Sequence, residues 1–196
     1  MRRVGIIAFQ GAFERHAQAL RALGVQPVQV RTRAALAEVE RLIIPGGEST
    51  TIGMLMEREG LIDGVRQRMN EGMPVFGTCA GMILLADELT TSAPEHRDTE
   101  RTPYIGGLAI AIERNAYGRQ VESFETELAA PELENRPIPA VFIRAPAVRS
   151  CGPSVRILAQ FEGTPVLVRQ ERILAASFHP ELTEETAVHR YFIDRV

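Results

Sequence analysis

A cysteine with a glycine two residues to either side constrains this chain more than any other feature. In Val75-Phe-Gly-Thr-Cys-Ala-Gly-Met82 the segment Gly77 to Gly81 reads G-x-C-x-G, the cysteine form of the nucleophile elbow. The short apolar run before it predicts a strand, and Met82 to Leu89 predicts a helix. A sharp turn between the two lifts the Cys79 side chain above the sheet edge. The glycines are needed because the backbone at the turn is strained and side chains beside it would collide. The helix start supplies unpaired N–H donors and partial positive charge, which favour a thiolate at Cys79 and an oxyanion beside it. A lone free cysteine is by default a small buried hydrophobe; the glycine frame sets this one apart.

The rest of the first half supplies the rhythm such an elbow requires. Val4 to Phe9 reads as a buried strand, Ala12 to Leu23 as an amphipathic helix stopped by Gly24, and Val25 to Val30 as a second strand. Thr32 caps a helix over 33–39, Leu42 to Ile44 is a third strand, and helices run to Glu59 and from Leu61 to Glu71. Alternating strands and helices predict an α/β fold: one domain over 1–196, with a mostly parallel central sheet flanked by helices. The second half changes character. The stretch 90–103 reads as a solvated polar loop, Tyr104 to Ile112 and Ala140 to Arg144 as extended. Val155 to Phe161, Val166 to Arg169 and Ile173 to Ser177 read as short β runs in hairpins, so antiparallel pieces join the sheet. A closing helix is predicted from Thr183 or Glu184 through Ile193.

Composition removes whole classes. The 196 residues are 45% hydrophobic and 24% charged, ordinary for a soluble globular chain, and no apolar run approaches membrane-spanning length. The start of the chain lacks a signal peptide's cleavage region, and two cysteines make no disulfide framework, so a cytoplasmic setting is expected. A net charge of −3 without a basic run argues against nucleic-acid or membrane-surface binding. All 22 basic residues are arginine. Without lysine there is no Walker-type phosphate loop and no side-chain Schiff base. No metal-ligand cluster is apparent, and no cofactor is expected.

A thiolate nucleophile needs a proton acceptor. His16 and His189 fall in helical patterns and read as partly exposed structural histidines; His96 lies in the polar loop. His179 ends the strand Ile173 to Phe178, and Pro180 biases it towards extended backbone, so Glu181 projects to the same side and reaches its imidazole. A carboxylate there fixes the tautomer and stabilises the imidazolium. The third piece is Pro45-Gly-Gly-Glu-Ser49, whose glycines let backbone N–H groups approach a ligand. An N–H near Gly47, with that of Ala80, forms a candidate oxyanion hole, where one donor contributes about 3–4 kcal/mol to the transition state. The plainer alternative is a strand-to-helix turn capped by Ser49 or Thr50.

Cysteine elbow, Pro-Gly-Gly loop and His-x-Glu in that order resemble the class I, triad-type glutamine amidotransferases. Pro45-Gly-Gly-Glu-Ser-Thr-Thr51, Gly77-Thr-Cys-Ala-Gly81, Arg114-Asn-Ala-Tyr-Gly-Arg-Gln120, Phe142-Ile-Arg-Ala-Pro146 and Ser177-Phe-His-Pro-Glu-Leu-Thr183 are together similar to one family among them. These are the glutaminase subunits of ribose-5-phosphate-dependent pyridoxal 5′-phosphate synthases. The resemblance implies hydrolysis of L-glutamine by Cys79, His179 and Glu181, with the ammonia passed to a barrel-type synthase subunit in a hetero-oligomer. It also implies that Gly47, Glu48, Ser49, Arg114, Ile143 and Arg144 hold the glutamine. The chemistry agrees: an arginine fork suits the α-carboxylate and Glu48 the α-ammonium. A chain with no acceptor site of its own is then expected to be a poor glutaminase alone. Two other readings remain at this point: a cysteine peptidase or γ-glutamyl hydrolase sharing the elbow, and a non-catalytic subunit on the same fold.

Overall fold

A computed structural model of the chain describes residues 2–90, 103–114 and 123–196. The first half alternates β1 (Arg3–Ile7), α1 (Phe13–Ala22), β2 (Gln26–Val30), α2 (Arg33–Ala37), β3 (Arg41–Ile44), α3 (Ser49–Arg58), α4 (Leu61–Asn70), β4 (Val75–Thr78) and α5 (Ala80–Leu85). Then come β5 (Ala86–Thr90), β6 (Leu108–Glu113), β7 (Ser123–Leu128), β8 (Ile138–Ile143), β9 (Ala147–Cys151), β10 (Arg156–Phe161), β11 (Thr164–Gln170), β12 (Ile173–Ala176) and α6 (Ala187–Arg195).

The main sheet has seven strands in the order β10-β11-β12-β4-β3-β1-β2. Strands β2, β1, β3, β4 and β12 run parallel, and β10 and β11 add an antiparallel edge. The α/β expectation, with antiparallel additions in the second half, is therefore met. Parallel strands covered on both faces read as unbroken apolar runs, because successive residues enter opposite cores. Ile7, Leu42, Ile44, Val75 and Ala175 join one apolar cluster with α3, α4 and α5. Ile6, Ile43, Phe76, Leu174 and Ala176 join the other with α1 and α6. Each such fully buried aliphatic or aromatic side chain contributes roughly 1.5–3 kcal/mol.

Several elements differ from the sequence reading, each for a local reason. The helix predicted to Leu89 stops at Leu85: all six residues of α5 are buried, and the chain leaves it at Ala86 in extended conformation. Ala86–Thr90 instead pairs in parallel with β6, and β6 pairs antiparallel with β9, in a separate three-stranded sheet. Tertiary pairing overrides helix propensity there. The closing helix starts at Ala187 because the Glu185 carboxylate accepts from the N–H groups of Thr186 and Ala187, 2.9 and 3.0 Å away. Thr32 does cap α2, accepting from the Ala35 N–H at 3.2 Å. The stretch 91–102, with His96, and residues 115–120 of the Arg114 motif lie outside the described residues.

Candidate active site

Loops at the carboxyl ends of the parallel strands converge on Cys79, as expected for a doubly wound sheet. Cys79 has φ 48° and ψ −102°. That conformation costs a non-glycine residue about 1–3 kcal/mol and persists only where its surroundings enforce it. Here the Cys79 N–H donates to the Ala176 carbonyl at 2.8 Å, and its own carbonyl accepts from Ile83 at 3.2 Å. The glycine frame is steric, as the sequence suggests: a Cβ on Gly77 would lie 2.6 Å from the Gly81 carbonyl, and one on Gly81 would lie 2.0 Å from the Ile44 oxygen.

β12 lies beside β4 in register, Ala176 opposite Thr78, so His179 emerges next to the elbow. Its Nδ1 is 2.8 Å from Glu181 Oε1 and both side chains are buried. The local geometry is not the predicted extended one. Pro180–Leu182 forms a turn of 3-10 helix, which brings Glu181 back onto the imidazole. Proline at the first position of that turn sacrifices no hydrogen bond. Burial opposes a charge on His179, yet hydrogen bonds and charge from Cys79 and Glu181 prevail and push it up to about 10. Burial likewise opposes ionisation of Glu181, but His16 and His179 facing it hold the carboxyl below its usual range.

The sign of the stability effect follows. In the unfolded chain a histidine titrates near 6.5, so the folded form binds this proton more tightly. The contribution is full below about pH 6.5 and lost as pH rises towards about 10. The thermal midpoint is expected to fall across that window, and a His179→Gln variant to show a shallower fall. Calorimetric scans in a pH series check this; parallel slopes for the two proteins would contradict it.

The Pro-Gly-Gly loop after β3 closes one side. A Cβ on Gly46 would lie 2.3 Å from His179 Cε1, so only glycine lets the loop approach the imidazole. The Gly46 N–H donates to Thr78 Oγ1 at 3.0 Å, and the Glu48 N–H to Gln10 Oε1 at 3.0 Å. Gln10, following β1, was not singled out from the sequence; its place at the carboxyl end of the strand beside β3 was the available signal. The cap of α3 is neither Ser49 nor Thr50 but Glu48, whose carboxylate accepts from the N–H groups of Thr50 and Thr51 and from the Thr51 hydroxyl. Burial opposes its ionisation, but the hydrogen bonds from Thr51 and Thr50 hold this carboxyl below its ordinary value. Ser49 is buried in the first turn.

Arg114, after β6, donates to Thr50 Oγ1 at 3.4 Å and so meets the same helix start. On the opposite side the Ile143 carbonyl lies 3.9 Å from Cys79 Sγ, and Arg144 follows it, exposed, with φ 43°. Cys79, His179, Glu181, the Gly46–Gly47 turn and Ile143 are thus brought together around the thiol. Glu48 and Arg114 meet at the start of α3.

His16 and His189 depart most from expectation. Neither is partly exposed; both are fully buried. His16 Nδ1 lies 2.9 Å from His189 Nε2, and its Nε2 lies 3.2 Å from Thr78 Oγ1. The missed signal was positional: His16 shares the α1 face of Ala17 and Leu20, and His189 the α6 face of Phe192 and Ile193.

A cysteine on a strand-to-helix elbow, with a buried His–Glu pair from the neighbouring strand, is the layout of cysteine-dependent hydrolases on α/β sheets. The chain belongs to the SNO glutamine amidotransferase family, whose model matches residues 6–196. It is 51% identical over 196 residues to the pyridoxal 5′-phosphate synthase subunit PdxT of Desulforudis audaxviator, covering 100% of both chains. To PdxT of Carboxydothermus hydrogenoformans it is 47% identical over 194 residues, 99% of this chain and 97% of the relative. A crystal structure of a glutamine amidotransferase superposes with a TM-score of 0.89 at 48% identity, covering 97% of each chain. PurLQS from Thermotoga maritima shares the fold, with a TM-score of 0.68 at 17% identity and 98% of each chain covered.

Proposed function

We propose that the chain is a single-domain glutaminase, residues 1–196, that hydrolyses L-glutamine to L-glutamate and ammonia through a thioester on Cys79. The ammonia passes to the synthase subunit of a pyridoxal 5′-phosphate synthase. The observation that carries this reading is the buried His179–Glu181 pair against an elbow cysteine in a member of an amidotransferase family. In the first step the Cys79 thiol passes its proton to His179 as the sulfur bonds to the carboxamide carbon, and the oxygen takes up negative charge between the N–H groups of Gly47 and Ala80. Collapse breaks the C–N bond while His179 gives its proton to the departing nitrogen, releasing ammonia. A water then attacks the thioester, losing its proton to His179, and as the C–S bond breaks His179 returns that proton to the sulfur, releasing glutamate and restoring the thiol. Glu181 holds the Nδ1 proton throughout, so Nε2 faces the reaction.

Ser49, Ile143 and two arginines complete the substrate site: Arg114 and Arg144 hold the α-carboxylate, and the lone pairs of Glu48 left by its capping role meet the α-ammonium. An Arg144→Lys variant is expected to lose roughly 10- to 100-fold in kcat/KM for glutamine, because lysine cannot reproduce a bidentate contact to a carboxylate. Steady-state kinetics on the folded variant test this, and an unchanged kcat/KM removes Arg144 from the site.

Free ammonia becomes ammonium in neutral water and ceases to be a nucleophile, so the product needs a protected path. A barrel-type partner in a hetero-oligomer, in the cytoplasm, supplies its acceptor. Turnover that waits for that partner avoids wasting glutamine, and an oxyanion donor near Gly46–Gly47 turned in on docking is the simplest switch. The experiment is ammonia release from glutamine at rising concentrations of purified synthase subunit. Hydrolysis that increases with complex formation is expected. No ammonia at any ratio sinks the glutaminase reading; full activity in the isolated chain sinks only the coupling.

A further inference from the structure

A carboxylate that orients an imidazole has two oxygens, and only one of those on Glu181 is spent on His179. Oε1 takes the Nδ1 contact at 2.8 Å. Oε2 is fully buried, accepts no hydrogen bond among the described residues, and lies 3.5 Å from His16 Nε2. An ionised oxygen is rarely left so without a donor aimed at it. The proton on His16 can be placed by elimination. Were it on Nδ1, the bare Nε2 would present a lone pair to the carboxylate. His189 would then accept at Nε2 and carry its own proton on Nδ1, a buried atom with no partner. The opposite arrangement satisfies more. His189 Nε2–H donates to His16 Nδ1, and His16 Nε2–H points at Thr78 Oγ1 and Glu181 Oε2. The remaining orphan is a lone pair on His189 Nδ1, which is less costly to bury than an unpaired N–H.

We propose that His16 is a positioning residue for the reaction: its Nε2–H, aimed by His189, steadies the outer oxygen of Glu181 so that the inner oxygen stays on His179 Nδ1. This rests on the glutaminase reading. Burial lowers both inner histidines, His189 to about 3, so at neutral pH they act as fixed dipoles rather than charges. Phe76 stands edge-on to both rings, with centroids 6.3 Å from His16 and 6.0 Å from His189, and fixes their planes. A pair serving only to fill the core would be better made of apolar side chains, which bury without desolvating four ring nitrogens.

The test uses two polar variants, each assayed as the full chain with the synthase partner present. His16→Gln carries an amide N–H to the position of Nε2; His16→Asn reaches only to the position of Nδ1. His16→Asn is expected to lose about 10- to 100-fold in kcat, the scale known for outer partners that orient a metal-bound imidazole, with KM for glutamine unchanged. His16→Gln is expected to recover most of that loss. A native kcat in His16→Asn overturns the proposal, as do equal losses in both variants that track their thermal midpoints. A second measurement avoids variants altogether: nitrogen NMR of the native chain is expected to find His16 neutral and protonated on Nε2. A proton on Nδ1 overturns the assignment. If the native chain and its partner hydrolyse no glutamine, the underlying reading fails first and takes this inference with it.

Discussion

Replacing Cys79 with alanine is expected to remove glutamine hydrolysis, by a factor on the order of 10⁴–10⁶, the scale of nucleophile loss in triad hydrolases. Replacing Cys151 is expected to leave it intact. The contrast is structural. Cys79 sits strained at a helix start, just after the strand that pairs in register with the one leading to the buried imidazole of His179. Cys151 lies in β9 opposite Ile110, and burial pushes its thiol up, the wrong direction for a nucleophile. Both cysteines are free thiols, so labelling reads the contrast between them. An electrophilic glutamine analogue should therefore attach to Cys79 alone, as peptide mass mapping would show. Inactivation that follows modification of Cys151 would reverse the assignment.

Gly81→Ala is expected to produce the largest loss of stability among single-methyl additions at the elbow. The added carbon would come within 2.0 Å of the Ile44 oxygen and 2.9 Å of its carbonyl carbon. These are backbone atoms of a central strand, whose ladder with β4 includes Ile44 opposite Gly77. No side chain can swing aside to relieve them, so α5 must move off the sheet. Overpacking of this kind costs about 3 kcal/mol or more. For a chain of this size that is a fall of about 6–12 °C in the thermal midpoint. A midpoint unchanged from the native protein would show that α5 is not seated on β3 as described.

Much of this architecture is legible in the amino-acid order because β1, β3, β4 and β12, four of its five parallel strands, are short apolar runs. β3, for instance, is fixed by Leu42-Ile-Ile44 and the following Pro45. The elbow is legible because its glycines are required by contacts that sequence spacing already anticipates. Glu181 meets His179 as a spacing of two suggests, but through a tight turn rather than an extended strand. What could not be read depends on distant partners. Ala86–Thr90 is a strand only because β6 lies alongside it. His16 and His189 meet across 173 positions, and a histidine on an amphipathic helix gives no sign of which face its neighbours will close. Glu48 looked available for a ligand because nothing in its spacing announces that it caps its own helix.

The in-register pairing of β12 with β4 has a consequence for how such a protein can change. Nucleophile and base are aligned by a backbone ladder, Ala176 against Thr78, and by the bond from the Cys79 N–H to the Ala176 carbonyl. From the excursion between β5 and β11, the Val141 carbonyl in β8 accepts from the His179 N–H at 2.8 Å and β11 pairs with β12, so both also hold the base in place. Arg114 and Arg144, proposed to hold the α-carboxylate, follow β6 and β8 in that excursion. Part of the proposed grip on the substrate is therefore carried by a different stretch of chain from the nucleophile and base. Substitutions at Arg114 and Arg144 are expected to change what is bound while leaving the β4–β12 alignment in place.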